Sequence, residues 1–195
     1  MRREFHVRFC EGLGVRFPRA TRLVVLSRGH AAQALEWTRA TMEDLKLTLS
    51  EKKTRLCDAR KEAFDFLGYT FGPEYYRRDG HWYLSAKPSR RSITRLKGKV
   101  RAHLRSGNMA PWPVIAARLN RLLRGWTGYF GYGTRYMAYR TMDNYVYHSV
   151  RRFLKRRHKV KTCATKRFPA EVVFGELGVQ RLRAIHLGPP AHAHA

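Results

Sequence analysis

Eleven consecutive residues, Arg151–Lys161 (RRFLKRRHKVK), carry seven Lys or Arg side chains and His158. A helix dipole favours one or two cations at its C-terminal end. Seven, spread over several faces, suit a polyanion better. Long basic side chains reach phosphates without reading sequence, so binding of this kind weakens steeply as salt rises. A second unusual stretch, LRGWTGYFGYG (Leu123–Gly133), alternates Trp126, Tyr129, Phe130 and Tyr132 with four glycines, and Arg121 and Arg124 stand beside it. Exposed rings next to arginines stack on unpaired bases. The same rings turned inward pack helices together. The sequence leaves both uses open, and places the run between two helices.

Other chemistries find few residues to carry them. The nine histidines are scattered, and none has a second ligand at metal-binding spacing. Cys10, Cys57 and Cys163 are far apart and odd in number, so they read as reduced thiols. GYFGYG lacks the lysine and the preceding strand of a phosphate-cradling loop. From Ala86 to Phe168 there is one acid, Asp143, which reads as a helix cap and makes a poor lone general base. No catalytic and no metal-binding residue is assigned.

The bulk composition agrees. Forty Lys and Arg face 14 Asp and Glu in 195 residues, a formal charge of +26. A charge of that size repels itself until a polyanion neutralises it. The imbalance is local: Ala86–Phe168 holds 22 of the cations, while the first 85 residues hold 11 of the acids. No stretch approaches the ~20 apolar residues of a membrane span, and MRREFHVRFCEGLG has no signal-peptide core. Nucleic acid rather than a membrane is the expected partner, and the cytoplasm the expected location.

These side chains need elements to position them. TRLVVLS (Thr21–Ser27) reads as a strand, and Ala31, Leu35, Thr38, Met42 and Leu45 fall on one helical face. LTLSEKKTRL (Leu47–Leu56) reads as an extended link with a turn, EAFDFLGYTFG (Glu62–Gly72) as one strand, and RRDGHWYLS (Arg77–Ser85) as an Asp-Gly hairpin. After Pro88 the period becomes helical, with Ser89 placed to cap. Ile93, Leu96, Val100 and Leu104 form one stripe. Ile115, Leu119, Leu122 and Leu123 form a second, opened by Pro111 and Pro113. Met142, Val146, Val150, Phe153 and Leu154 form a third. Three amphipathic helices burying these stripes leave a basic exterior. The remainder, through PPAHAHA, reads as mixed sequence and a frayed tail.

LSEKKTRLCDARKEAFDFLGYTFG, KPSRRSITRLKGKV, LNRLLRGWTGYFGYG and DNYVYHSVRRFLKRRHKVK follow one another in an order that resembles the C-terminal part of group II intron-encoded reverse transcriptase/maturases. The resemblance covers about Leu23–Pro189. It implies an α+β chain: a partial palm over 21–86 (a few antiparallel strands, one helix and a hairpin), then a basic three-helix thumb or maturase-specific domain over 87–168. An atypical segment (1–20) precedes them and an extension (169–195) follows. Lys53 and Thr54 match the palm's Lys-Thr turn. Phe64, Phe66, Leu67 and Gly68 match the element that grips the primer strand. The family binds its own intron RNA, assists splicing and copies the RNA into DNA.

One departure changes the implied activity. The family's Tyr-Ala-Asp-Asp turn, whose aspartates hold Mg²⁺ for nucleotide addition, falls on Arg19, Ala20, Thr21 and Arg22. Threonine and arginine do not replace metal-binding carboxylates. The expectation is an RNA-binding, maturase-like fragment without its own polymerase activity. Two alternatives are the C-terminal subunit of a split polymerase, with Mg²⁺ and an N-terminal reverse-transcriptase chain supplied separately, and a decayed remnant. The expected partners are group II intron RNA and, through the thumb, a template–primer duplex. The expected RNA contacts are Lys87, Arg90, Arg91, Arg95, Lys97, Lys99, Arg101, Arg121, Arg124, Arg151, Arg152, Lys155, Arg156 and Arg157, with Trp126, Tyr129 and Tyr132 as stacking rings.

Overall fold

The computed structural model describes residues 6–11, 22–76, 78–161 and 165–185, with backbone only at 6–11, Arg22 and Lys53. Arg19, Ala20 and Thr21 lie outside the described residues. So do Cys163, His186, His192 and His194, and the side chains of His6, Cys10, Arg22 and Lys53. The chain is α+β. It divides into one unit of Met1–Phe66 with Phe71–Ser85, and another of Leu67–Thr70 with Ala86–Ala195.

In the first unit, β1 (His6–Glu11) is the middle strand of an antiparallel sheet ordered β2-β1-β3, with β2 at Arg22–Ser27 and β3 at Arg55–Asp58. Its register pairs Val7 with Leu26 on one side and with Cys57 on the other. Helix α1 (Ala31–Asp44) follows β2 and buries Thr38. Leu45, placed by its period on the same face, is the C-cap and is exposed. The link before β3 contains a short 3₁₀ turn at Glu51–Lys53. Cys57, Ala59 and Phe64 make a small core, packed by Val24, Phe66 and Phe71. Leu26 and Trp37 are about 70% and 68% exposed, large apolar groups on this unit.

Strands β4 (Phe64–Phe66), β5 (Tyr69–Tyr75) and β6 (Trp82–Pro88) form a second sheet in that order. The stretch Glu62–Gly72 is therefore two strands rather than one. Leu67 and Gly68, at φ 46° and 83°, make the two-residue turn between them. Both positive values match the twist of a tight hairpin, and leucine adopts such a φ only at a cost. The Asp-Gly hairpin joins β5 to β6, with Gly80 at φ 68°.

The second unit is built on α2 (Arg90–His103), α3 (Trp112–Tyr129) and α4 (Tyr136–Arg157). Ser89 caps α2, its hydroxyl accepting from Ser92 N–H at 3.3 Å. Pro113 sits in the first turn of α3, where a missing N–H costs nothing. Leu96, Val100, Leu119, Leu123, Met142, Val146 and Val150 are all at most 1% exposed, so the three stripes share one core. The C-terminal residues, mixed in sequence, complete it. A π-helical turn (Val172–Glu176) brings in Val173 and α5 (Leu182–Ile185) brings in Leu182, while Phe168 and Val179 come from the residues before and between them.

Asp143 is not a helix cap. It lies mid-way along α4, 3% exposed, and its carboxylate accepts from Leu182 N–H at 2.7 Å and Arg183 Nε at 3.0 Å. That hydrogen bond holds the Arg183 guanidinium above its ordinary pKa. Asn120 fixes the same segment, donating to Gly178 O at 2.7 Å and accepting from Gln180 N–H at 2.9 Å.

Candidate nucleic-acid interface

With apolar stripes facing inward, the other faces of α2, α3 and α4 carry the cations. Arg90, Arg91, Arg95, Lys99 and Arg101 are exposed on α2, as are Lys87 at the end of β6, Arg121 and Arg124 on α3, and Arg152, Arg156 and Arg157 on α4. Lys97, Arg151 and Lys155 are partly buried. Arg118 and Arg140 are exposed on the same helices. They stand singly in sequence, so no cluster marked them.

Not all of these cations have idle head groups. Arg157 donates to Ala110 O at 2.8 Å, with its guanidinium 5.9 Å from the Phe153 ring centre. Arg156 reaches Leu104 O at 3.3 Å. Lys97 lies over Tyr145 at 5.3 Å, and Arg151 over Tyr147 at 5.1 Å while donating to its hydroxyl at 3.1 Å. These four steady the helices through their stems and donors. Asp143 neutralises none of the 22 cations between Ala86 and Phe168, because its partner Arg183 lies beyond them. The helical unit therefore keeps a dense positive surface, suited to phosphates.

The aromatic run is not a loop between helices. Its first two rings stand on the last turns of α3, and only Phe130–Arg135 connects α3 to α4. Phe130 is buried and Trp126 partly so, their ring centres 4.7 Å apart, with Tyr139 5.8 Å from Trp126. The Trp126 indole N–H is buried without a partner. Tyr129 and Tyr132 are 53% and 80% exposed. The run thus packs with Trp126 and Phe130 and presents Tyr129 and Tyr132 to solvent.

Within the same unit, Tyr129 donates to Leu67 O at 2.7 Å, and Tyr69 donates to Tyr129 O at 2.8 Å. Gly68 O accepts from Ser89 N–H at 2.8 Å and from the Ser92 hydroxyl at 2.9 Å. Leu67 and Gly68 are thereby pinned to the starts and ends of helices, with the Leu67 side chain left exposed. Phe64 and Phe66 belong to the other unit. Phe64 stacks on Phe71 with ring centres 5.3 Å apart and planes 18° apart. The Thr54 hydroxyl is spent on Ser50 O at 2.9 Å.

Gly133 is a constrained glycine of the run. It sits at φ 70°, and a Cβ there would lie 2.1 Å from Ala86 O. Gly125 and Gly128 face open space.

Among the described residues, no three His, Cys, Asp or Glu side chains gather closely enough to hold a metal, and no helix is long and apolar enough to cross a membrane.

Residues 93–169 match the family model of the group II intron maturase-specific domain. The match takes in most of α2, all of α3 and α4, and ends just before the π-helical turn. It supports a maturase-like role in group II intron splicing. Comparison with curated proteins finds no match to the chain.

Proposed function

We propose that the helical unit binds structured group II intron RNA through the outer faces of α2, α3 and α4 and thereby assists splicing, without polymerase activity of its own. The observation that carries this is a matched maturase-specific domain whose only acid is turned inward onto Arg183. Phosphate contact falls to the exposed cations, with Arg121 and Arg124 on α3 preceding the exposed Tyr129 and Tyr132 in sequence. Binding of this kind favours compact RNA folds because it offsets phosphate repulsion. The lack of polymerase activity rests on Thr21 and Arg22, which stand where the family places its metal-binding aspartates.

Two assays on the purified chain test this. A group II intron precursor should splice faster at limiting Mg²⁺ when the chain is added, and a primed template with nucleotides should not be extended. Primer extension, or splicing unaffected at saturating chain, contradicts the proposal.

A second reading concerns the first unit. Exposed Leu26 and Trp37 suit docking to a chain that supplies the rest of a palm. Co-expression with an N-terminal reverse-transcriptase chain tests it: a stable complex that needs Trp37 supports docking, and separate elution contradicts it.

A further inference from the structure

We propose that a groove between α3 and the C-terminal segment holds a backbone phosphate of the bound RNA, so that the RNA-binding surface runs past the part of the chain matched to the maturase-specific domain. This rests on the RNA-binding reading above. The groove has a volume of about 620 Å³, and Arg124 of α3 lines it together with Glu171, Phe174, Gln180 and Arg181. Pockets for small ligands run from roughly 300 to 1,000 Å³, so a phosphate and its flanking riboses have room. All of these residues except Arg124 follow residue 169, where the family match ends.

The C-terminal wall is fixed before any RNA arrives. Gly178 and Gln180 both line the groove, and Asn120 ties both to α3. Its amide donates to Gly178 O at 2.7 Å, and its oxygen accepts from Gln180 N–H at 2.9 Å. The Trp112 indole N–H holds the neighbouring Leu177 O at 3.0 Å. Asp143 accepts from Leu182 N–H just beyond. A surface already in place spends little ordering entropy on binding.

Two guanidinium groups line this wall and its neighbour. The Arg181 group lies over the Phe174 ring, 4.6 Å from its centre. The ring steadies the cation and takes up none of its N–H donors in ordinary hydrogen bonds. Arg124 is exposed. Among the described residues neither guanidinium forms an ion pair with an acid. The lining includes one carboxylate, Glu171. Two cations against one acid leave the groove positive, and like charges on one groove repel until an anion comes between them. RNA supplies that anion as a phosphodiester, whose two free oxygens match the paired donors of a guanidinium. The carboxylate of Glu171 works against the phosphate, which gives the proposal a test of opposite sign.

The test is equilibrium binding of the full chain to a folded group II intron RNA across a salt series, with two matched pairs of variants. Glu171→Gln and Glu176→Gln remove the same charge at exposed positions of one segment, and Glu176 is not among the lining residues. Glu171→Gln should tighten binding at least about twofold more than Glu176→Gln. Arg181→Gln should weaken binding roughly fivefold and lower the salt slope by about 1. Lys52→Gln, at an exposed cation of the other unit, should change affinity by less than about twofold. Thermal melts show whether Arg181→Gln is folded, and the glutamate pair decides alone if it is not. Equal effects within the glutamate pair, or a folded Arg181→Gln that binds like Lys52→Gln, overturn the groove while the wild type still binds RNA. A wild type that binds no RNA instead overturns the RNA-binding reading beneath it.

Discussion

Asp143 on α4 and Arg183 in α5 meet at 3.0 Å across 40 residues of sequence, and the carboxylate also accepts from the Leu182 N–H. The only acid of the basic stretch therefore anchors the C-terminal segment to the helical core. Asp143→Ala removes both bonds and leaves a buried N–H unmet, and should lower unfolding free energy by about 2–4 kcal/mol. Asp143→Asn keeps an acceptor for Leu182 and should cost about half as much. Urea unfolding of the three proteins measures the order. Equal midpoints would show that the segment is held otherwise.

Gly133→Ala should destabilise by roughly 2 kcal/mol or more, because alanine resists φ 70° and its Cβ meets Ala86 O. Gly125→Ala and Gly128→Ala fill open space on a helix and should each stabilise by about 0.5–1 kcal/mol. Thermal melts of the three variants separate the constrained glycine from the free ones. A uniform effect would contradict this division.

Burial pushes the Tyr139 phenol up to about 12, against its ordinary 10, with Arg135 pulling the other way. Its hydroxyl donates to Phe130 O at 3.0 Å. Between those values the folded state keeps a proton that the unfolded chain has lost. Stability from this group is thus complete below pH 10 and lost as pH rises through about 12. Wild type should lose about 2–3 kcal/mol more than Tyr139→Phe over that window. Denaturant titrations at stepped alkaline pH check the slope, and parallel curves would refute it.

Among the cations, free and engaged head groups should behave differently. Arg121→Ala should leave the melting temperature unchanged, weaken binding to every RNA alike and lower the salt slope by about 1. Arg157→Ala loses the bond to Ala110 O and its packing on Phe153, and should also destabilise by about 0.5–1.5 kcal/mol. Paired melts and salt titrations on both variants check the contrast. A destabilised Arg121→Ala or a neutral Arg157→Ala would contradict it.

The helical core was legible because apolar residues at helical spacing need no distant partner to be recognised. The Ser89 cap and the Asp-Gly turn are equally local signals. What escaped depends on residues far apart. Asp143 gains its role from Arg183, and Gly133 its constraint from Ala86 O. Val173, Val179 and Leu182 enter the core singly, from a π-helical turn, the link after it and a four-residue helix that show no period. The His6–Glu11 strand lies in a stretch that resembles nothing familiar, yet it is central to its sheet. For the basic face, composition located the helices, while only the fold separated Arg156 and Arg157, tied to carbonyls, from Arg121 and Arg124.

Equilibrium binding of the full chain to a folded group II intron RNA and to an unrelated structured RNA of equal length, across a salt series, tests the central claim most directly. The account predicts tighter binding to the intron RNA, persisting at about physiological salt. Equal affinities that fall together as salt rises would contradict it, leaving only the nonspecific attraction of a basic surface for phosphates.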